Sequence, residues 1–182
     1  MCNHLDIDVW EVINAAATKP FGFTPFYPGP GLGGHCIPVD PWFIVHSAPD
    51  ESKIIQIARK INRNRTDIVY KKILKHIKAA KRKESIACLG IGYKANIGDT
   101  RESPAVEIIK KLDEDQLGEL LIIDPHVKTL PKVLKNRKHL TLTSDLGQAL
   151  DNSDVILKLV GHREFENIES LKFPDKLILN FC

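Results

Sequence analysis

Apolar positions along this chain fall into two regimes. Up to about residue 84 they recur at helical spacing, interrupted by a proline-rich interval; from residue 85 they come in short runs separated by amphipathic pieces. Leu5, Val9, Val12 and Ile13 predict a helix within residues 1–18. Residues 19–49 carry prolines at 20, 25, 28, 30, 38, 41 and 49 and read as loop. A loop of that length inside a compact domain is functional when it is ordered. Ile54, Ile57, Ala58, Ile61, Ile68, Val69, Ile73 and Ile77 then mark one apolar face of a long helix. Ser52 is placed to cap it, and Asp50 and Glu51 suit its positive end. Lys71, Lys72, Lys75, Lys78, Lys81, Arg82 and Lys83 gather toward the other end, where cations complement the helix dipole.

The second regime predicts strands at Ser85–Gly90, Glu119–Asp124, Leu140–Thr143, Asp154–Val160 and Lys176–Phe181, with helices at Ser103–Leu112 and Leu146–Leu150. Continuous apolar strands alternating with helices point to parallel βαβ units covered on both faces. The expected fold class is α/β: a Rossmann-like, doubly wound parallel sheet of about five strands. A Gly/Pro-rich loop and a long helix precede it. The expected division is residues 1–84, carrying loop and helix, and residues 85–182, carrying the sheet.

Composition narrows the function classes. The chain has 182 residues, 43% hydrophobic and 27% charged, which suits one globular domain with an appendage. No apolar run of about 18 residues predicts a membrane span. The N-terminus lacks the basic-then-apolar pattern of a secretory signal. A net charge of +3 is a solvated surface and not a nucleic-acid footprint, so neither nucleic acid nor membrane is an expected partner. Cys2, Cys36, Cys88 and Cys182 are scattered and form no CxxC pair. Zinc-ligand spacing is therefore missing, no metal is expected, and the compartment reads as reducing and cytoplasmic.

Candidate chemistry concentrates in residues 28–41. Pro28–Gly34 packs four glycines and two prolines into seven residues, followed by His35 and Cys36, with Asp40 four residues further on. Gly29, Gly31, Gly33 and Gly34 allow close backbone approach, and consecutive N–H groups can cradle anionic oxygens. A nucleophilic cysteine needs a lowered pKa, which an electropositive loop supplies. The alternative is a rigid turn around a buried, inert thiol. A second motif, Gly90-Ile91-Gly92-Tyr93-Lys94-Ala95, satisfies the dinucleotide fingerprint in form. Its helix, however, starts only near Ser103 and Pro104, and Asp124 lies too far on for the ribose carboxylate. Lys94 and Arg101 ahead of that helix read as a phosphate site, or else as surface charges around a helix cap. His126 and His162 end strands and read as ordinary loop residues. No Ser-His-Asp triad can be assembled.

PFYPGPGLGGHCIPVDPWFIV at 25–45 and GIGYKANIGDTRESPAVEI at 90–108, with IIDPHV at 122–127 and LVGHREF at 159–165, resemble the nucleotide-sugar 6-dehydrogenases, the UDP-glucose/GDP-mannose dehydrogenase family. The resemblance runs over nearly the whole chain. It implies oxidation of a sugar C6 alcohol to a carboxylate with two NAD⁺, through a cysteine thiohemiacetal and thioester. It implies Cys36 as nucleophile and Asp40 as support for hydrolysis. Tyr27, Gly29, Gly31, Gly33, Gly34, His35, Tyr93 and Lys94 would contact the UDP-sugar, and Arg101 would reach NAD. It further implies that the NAD-binding Rossmann domain and most of the central helix lie outside this chain. A separately encoded N-terminal half is then a possible partner, and a homodimer is the expected assembly of the full-length family. The stretch 18–23, TKPFGF, resembles the UDP-N-acetylglucosamine branch, so the sugar stays open among UDP-N-acetylhexosamines and UDP-glucose. Gly161 and the ending Asn180-Phe181-Cys182 depart from the family pattern and leave room for a non-catalytic nucleotide-sugar sensor.

Overall fold

The computed structural model describes residues 1–80, 85–168 and 173–182. Helices α1 (Cys2–Leu5), α2 (Val9–Ala17), α3 (Asp40–Ser47) and α4 (Lys53–Ala80) come first. Then follow β1 (Ser85–Leu89), α5 (Pro104–Glu114), β2 (Glu119–Ile123), β3 (Leu140–Thr143), α6 (Leu146–Asp151), β4 (Val155–Lys158) and β5 (Leu177–Asn180). The strands pair in parallel in the order β3-β2-β1-β4-β5.

Alternation along β1 divides the core. Ile86 and Cys88 face a cluster built with Val69, Ile73 and Ile77 of α4 and Ile108, Ile109 and Leu112 of α5. Ala87 and Leu89 face the opposite side, against Ala149, Leu150, Phe165 and Ile168. Burial on both faces is why β1 and its neighbour β4 read as nearly unbroken apolar runs. The chain order reverses at β1, so the carboxyl ends of β1, β2 and β4 frame the crevice where open α/β sheets bind ligands.

Four local expectations are corrected. The helix expected within 1–18 is broken, because Asp6 takes a left-handed conformation (φ 53°) and Asp8 starts a new helix by accepting from the Trp10 amide. The proline-rich interval is not all loop: residues 40–47 form α3, with Pro41 in the first turn, where a missing N–H costs nothing. Ser52 does not cap α4; its hydroxyl donates back to the Pro49 carbonyl. The apolar face of α4 is only half covered. Val69, Ile73 and Ile77 are buried, whereas Ile54, Ile57, Ile61 and Ile68 are 53–83% exposed and Ala58 is also exposed. The sheet reaches only the second half of this 28-residue helix. Of the expected basic run, Lys81, Arg82 and Lys83 lie outside the described residues.

Candidate nucleotide-sugar site

One polar face of α4 holds the glycine loop. Asn62 Oδ1 accepts from the Leu32 amide at 3.1 Å, Arg65 Nε donates to the Gly29 carbonyl at 3.0 Å, and Thr66 Oγ1 donates to the Pro30 carbonyl at 3.4 Å. From the other side the Gly34 amide donates to the Arg101 carbonyl at 3.1 Å. The two loops approach so closely that a Cβ on Gly33 would lie 2.7 Å from both the Glu102 carbonyl and Tyr93 Cβ. Gly34, at φ +93°, rests on the Tyr93 ring and adopts a conformation that suits glycine.

The loop delivers Cys36 to the start of α3. The amides of Val39 and Asp40 donate to the Cys36 carbonyl at 3.0 and 2.8 Å, so the cysteine is locked into the turn that begins the helix. Cys36 is exposed, as are His35, Asp40 and Lys94. The buried, inert thiol is a different one. Cys88 in β1 is fully enclosed, and burial pushes its pKa up to about 12. Arg101 forms a bidentate pair with Asp99, which holds that carboxyl at about 2 and raises the guanidinium. The Arg101 guanidinium also lies within electrostatic reach of Cys36 and Tyr93.

Gly31, Gly33, Gly34, His35, Cys36, Tyr93 and Arg101 are thus drawn into one neighbourhood, with Asp40 one turn past the cysteine. Tyr27 stacks on Trp10 (centroids 5.3 Å apart) and Gly29 lies beside the Phe181 carbonyl, both toward the far end of the loop. Sequence reasoning missed Asn62, Arg65 and Thr66. Their signal is the run Asn62–Thr66, polar or charged throughout, inside an otherwise amphipathic helix.

The glycines after β1 serve a different purpose from the one their spacing suggests. The amides of Ile91 and Gly92 donate to Asp124 Oδ2 at 2.8 and 3.2 Å, and those of His126 and Val127 donate to Oδ1 at 2.9 and 3.1 Å. His162 Nε2 donates to Asp124 Oδ2 at 3.1 Å, and His162 Nδ1 accepts from the Asn96 amide at 2.9 Å. These bonds select the neutral tautomer with its proton on Nε2. Burial alone would raise the Asp124 pKa; the hydrogen bonds from His162, Ile91 and His126 outweigh it and hold the carboxyl below its usual range. A dinucleotide diphosphate would have to displace this carboxylate, so the fingerprint is not a cofactor site. His162 is likewise no ordinary loop residue, being fully buried and doubly bonded. His126, His162 and Glu164 bring ligand atoms within 4.8 Å of one another, but both His162 nitrogens are already engaged.

Residues 87–180 match the UDP-binding domain of the UDP-glucose/GDP-mannose dehydrogenase family, and residues 1–64 match that family's central domain. The chain belongs to this family. Among its relatives, the UDP-N-acetyl-D-mannosamine dehydrogenase of Campylobacter jejuni is 44% identical over 182 residues, which is 100% of this chain and 43% of that protein. An NDP-N-acetyl-D-galactosaminuronic acid dehydrogenase of Ralstonia nicotianae is 37% identical over 99% of this chain and 41% of its own length. The solved structure of an S. aureus UDP-N-acetyl-mannosamine dehydrogenase superposes with a TM-score of 0.76 at 31% identity, covering 99% of this chain and 45% of that one. The chain therefore spans less than half the length of the relatives it matches.

Proposed function

We propose that this chain is the UDP-sugar-binding, nucleophile-bearing portion of an NAD-dependent UDP-N-acetylhexosamine 6-dehydrogenase, with UDP-N-acetyl-D-mannosamine as substrate and its 6-carboxylate as product. The supporting observation is an exposed Cys36 at the end of a glycine loop clamped between α4 and the Tyr93–Arg101 segment. The backbone of Gly29–Gly34 lies along the nucleotide sugar, with His35, Tyr27, Tyr93 and Lys94 as its polar and aromatic contacts. The Cys36 thiolate adds to the aldehyde-level C6 to form a thiohemiacetal, whose oxidation gives a thioester. Asp40, one turn on, orients the water that hydrolyses it. NAD, when bound, accepts the hydrides of the two oxidations. Arg101 is the residue of this chain that would contact it, since the Ile91 and Gly92 amides of the turn after β1 serve Asp124. The remaining length found in the relatives, continuous with this chain or separately encoded, carries the principal NAD site; the assembled enzyme is a cytoplasmic homodimer.

Alone, the chain binds UDP-sugar without turnover. Iodoacetamide should label Cys36 well before Cys88 at neutral pH, and UDP-N-acetylmannosamine should slow the Cys36 reaction. Equal labelling rates with and without saturating UDP-sugar would remove the basis for this site. NADH formation by the isolated chain at enzymatic rates would overturn the division of labour.

A further inference from the structure

Lys94 sits on a segment that is fastened on both sides of it. Before it, the Ile91 and Gly92 amides are held by Asp124, and the Tyr93 amide donates to the Asp99 carbonyl at 2.8 Å. After it, the Asn96 amide donates to His162 Nδ1 at 2.9 Å, and Asn96 Oδ1 accepts from the Arg163 amide at 3.0 Å. These two bonds hold Asn96 in a left-handed conformation, φ 61°. The turn is tight: a Cβ on Gly92 would lie 2.8 Å from the Ile97 carbonyl and 3.2 Å from that of Lys94.

The fold makes room for His162 at the far anchor. Its side chain is fully buried, and Phe165 meets the ring edge-on with centroids 5.4 Å apart. Gly90, at φ +85°, leaves the space: a Cβ there would run into Val160 and lie 3.2 Å from His162 Cδ2. Ionised Asp124 can only accept, so the ring proton stays on Nε2 and Nδ1 is left to receive the Asn96 amide. The imidazole thus passes the fixed position of the strand ends to the segment that carries Lys94. No step of the reaction above uses it.

We propose that His162 is a positioning residue for nucleotide-sugar binding: its Nδ1 fixes the Asn96 amide and so sets Lys94 before the ligand arrives, a role that rests on the assignment of Lys94 to the UDP-sugar. The gain is preorganisation. A segment already in its bound shape loses less freedom on binding, which raises affinity without a new contact. The two ring nitrogens then have separable duties. Nε2 serves the fold through Asp124, and Nδ1 serves the ligand through Asn96.

Two substitutions separate these duties. His162→Gln places an amide near the Nε2 position and can still donate to Asp124, but it leaves the Asn96 amide without an acceptor. His162→Asn places Oδ1 near the Nδ1 position and keeps that acceptor, while losing the donor to Asp124. Isothermal titration of the whole chain with UDP-N-acetylmannosamine, beside a thermal melt, compares both with wild type. His162→Gln should bind about fivefold more weakly. His162→Asn should recover most of that affinity although its Tm is the lower of the two. A purely structural histidine predicts the reverse, with affinity following Tm. Coupling gives a second readout: in a Lys94→Ala background, itself a weaker binder, His162→Gln should cost little further affinity. Wild-type affinity in His162→Gln, the same loss in both backgrounds, or a His162→Asn that binds no better than His162→Gln overturns the proposal. So does a Lys94→Ala that binds like wild type. If His162→Gln does not fold, His162→Asn decides: a loss under about threefold supports the role and a larger one overturns it. Failure of wild type to bind the UDP-sugar removes the reading of the whole site as well; the other overturning results leave UDP-sugar protection of Cys36 standing.

Discussion

His162 donates from Nε2 to Asp124 Oδ2 at 3.1 Å, with both side chains shut off from solvent. The pair ties the carboxyl ends of β2 and β4 together across the intervening β1. Asp124 also accepts from four backbone amides, so one carboxylate organises both the loop after β1 and the turn after β2.

Removing that carboxylate leaves buried donors unmet. Asp124→Ala should destabilise the fold strongly, since each buried donor left unsatisfied costs about 1–3 kcal/mol. Urea denaturation at pH 7 measures it as a lower midpoint.

The same residue sets an acid dependence. Its folded-state pKa lies below the unfolded value of about 3.9, so its contribution is complete above that value and is lost as pH falls through the folded one. Stability measured from pH 7 down to pH 2 should fall less steeply over the acid range in Asp124→Asn than in wild type. Equal slopes would mean that another carboxyl carries the effect.

The two halves of α4 should respond differently to substitution. Ile73 is fully buried, so Ile73→Ala should cost about 2–5 kcal/mol. Ile57 is 58% exposed, so Ile57→Gln should stay within about 0.5 kcal/mol of wild type. Equilibrium unfolding of both variants gives the comparison directly; a large loss in Ile57→Gln would show that something covers that face in solution.

Gly33 is a steric requirement. A methyl group there meets the Glu102 carbonyl and Tyr93 Cβ at 2.7 Å, and neither can withdraw without moving its loop. Gly33→Ala should cost about 1–3 kcal/mol by overpacking and weaken UDP-sugar binding at least tenfold. Calorimetric titration against UDP-N-acetylmannosamine, beside a thermal melt, separates the two effects.

Asn62 acts on the loop and not on the core. Asn62→Ala removes the acceptor for the Leu32 amide, with an expected stability loss of about 0.5–1.5 kcal/mol. The loosened loop should show several-fold weaker UDP-sugar protection of Cys36 from alkylation. Protection identical to wild type would show that Arg65 and Thr66 suffice to hold it.

The centre of the sheet is legible in the sequence because β1, β2 and β4 carry buried residues on both faces, which leaves runs such as ELLII and VILK with little ambiguity. The glycine loop and Cys36 are legible for the opposite reason: their composition fits no regular element. The exposed half of α4 is not, since periodicity reports that a helix has an apolar face and says nothing of how far its neighbour extends. Asp124 and His162 stay hidden because a network joining residues 38 positions apart leaves no local pattern. The fingerprint at Gly90 misleads because spacing records that backbone amides converge, whatever anion they converge on.

The clamp on the glycine loop has a mechanical consequence. Asn62, Arg65 and Thr66 grip the loop from the middle of α4, just ahead of the stretch from Val69 that enters the core under the sheet. The thiol of Cys36 is therefore mounted on the same rigid frame as the strand ends. Any motion of Cys36 relative to the carboxyl ends of the strands must then either bend α4 or break the bonds by which Asn62, Arg65 and Thr66 hold the loop.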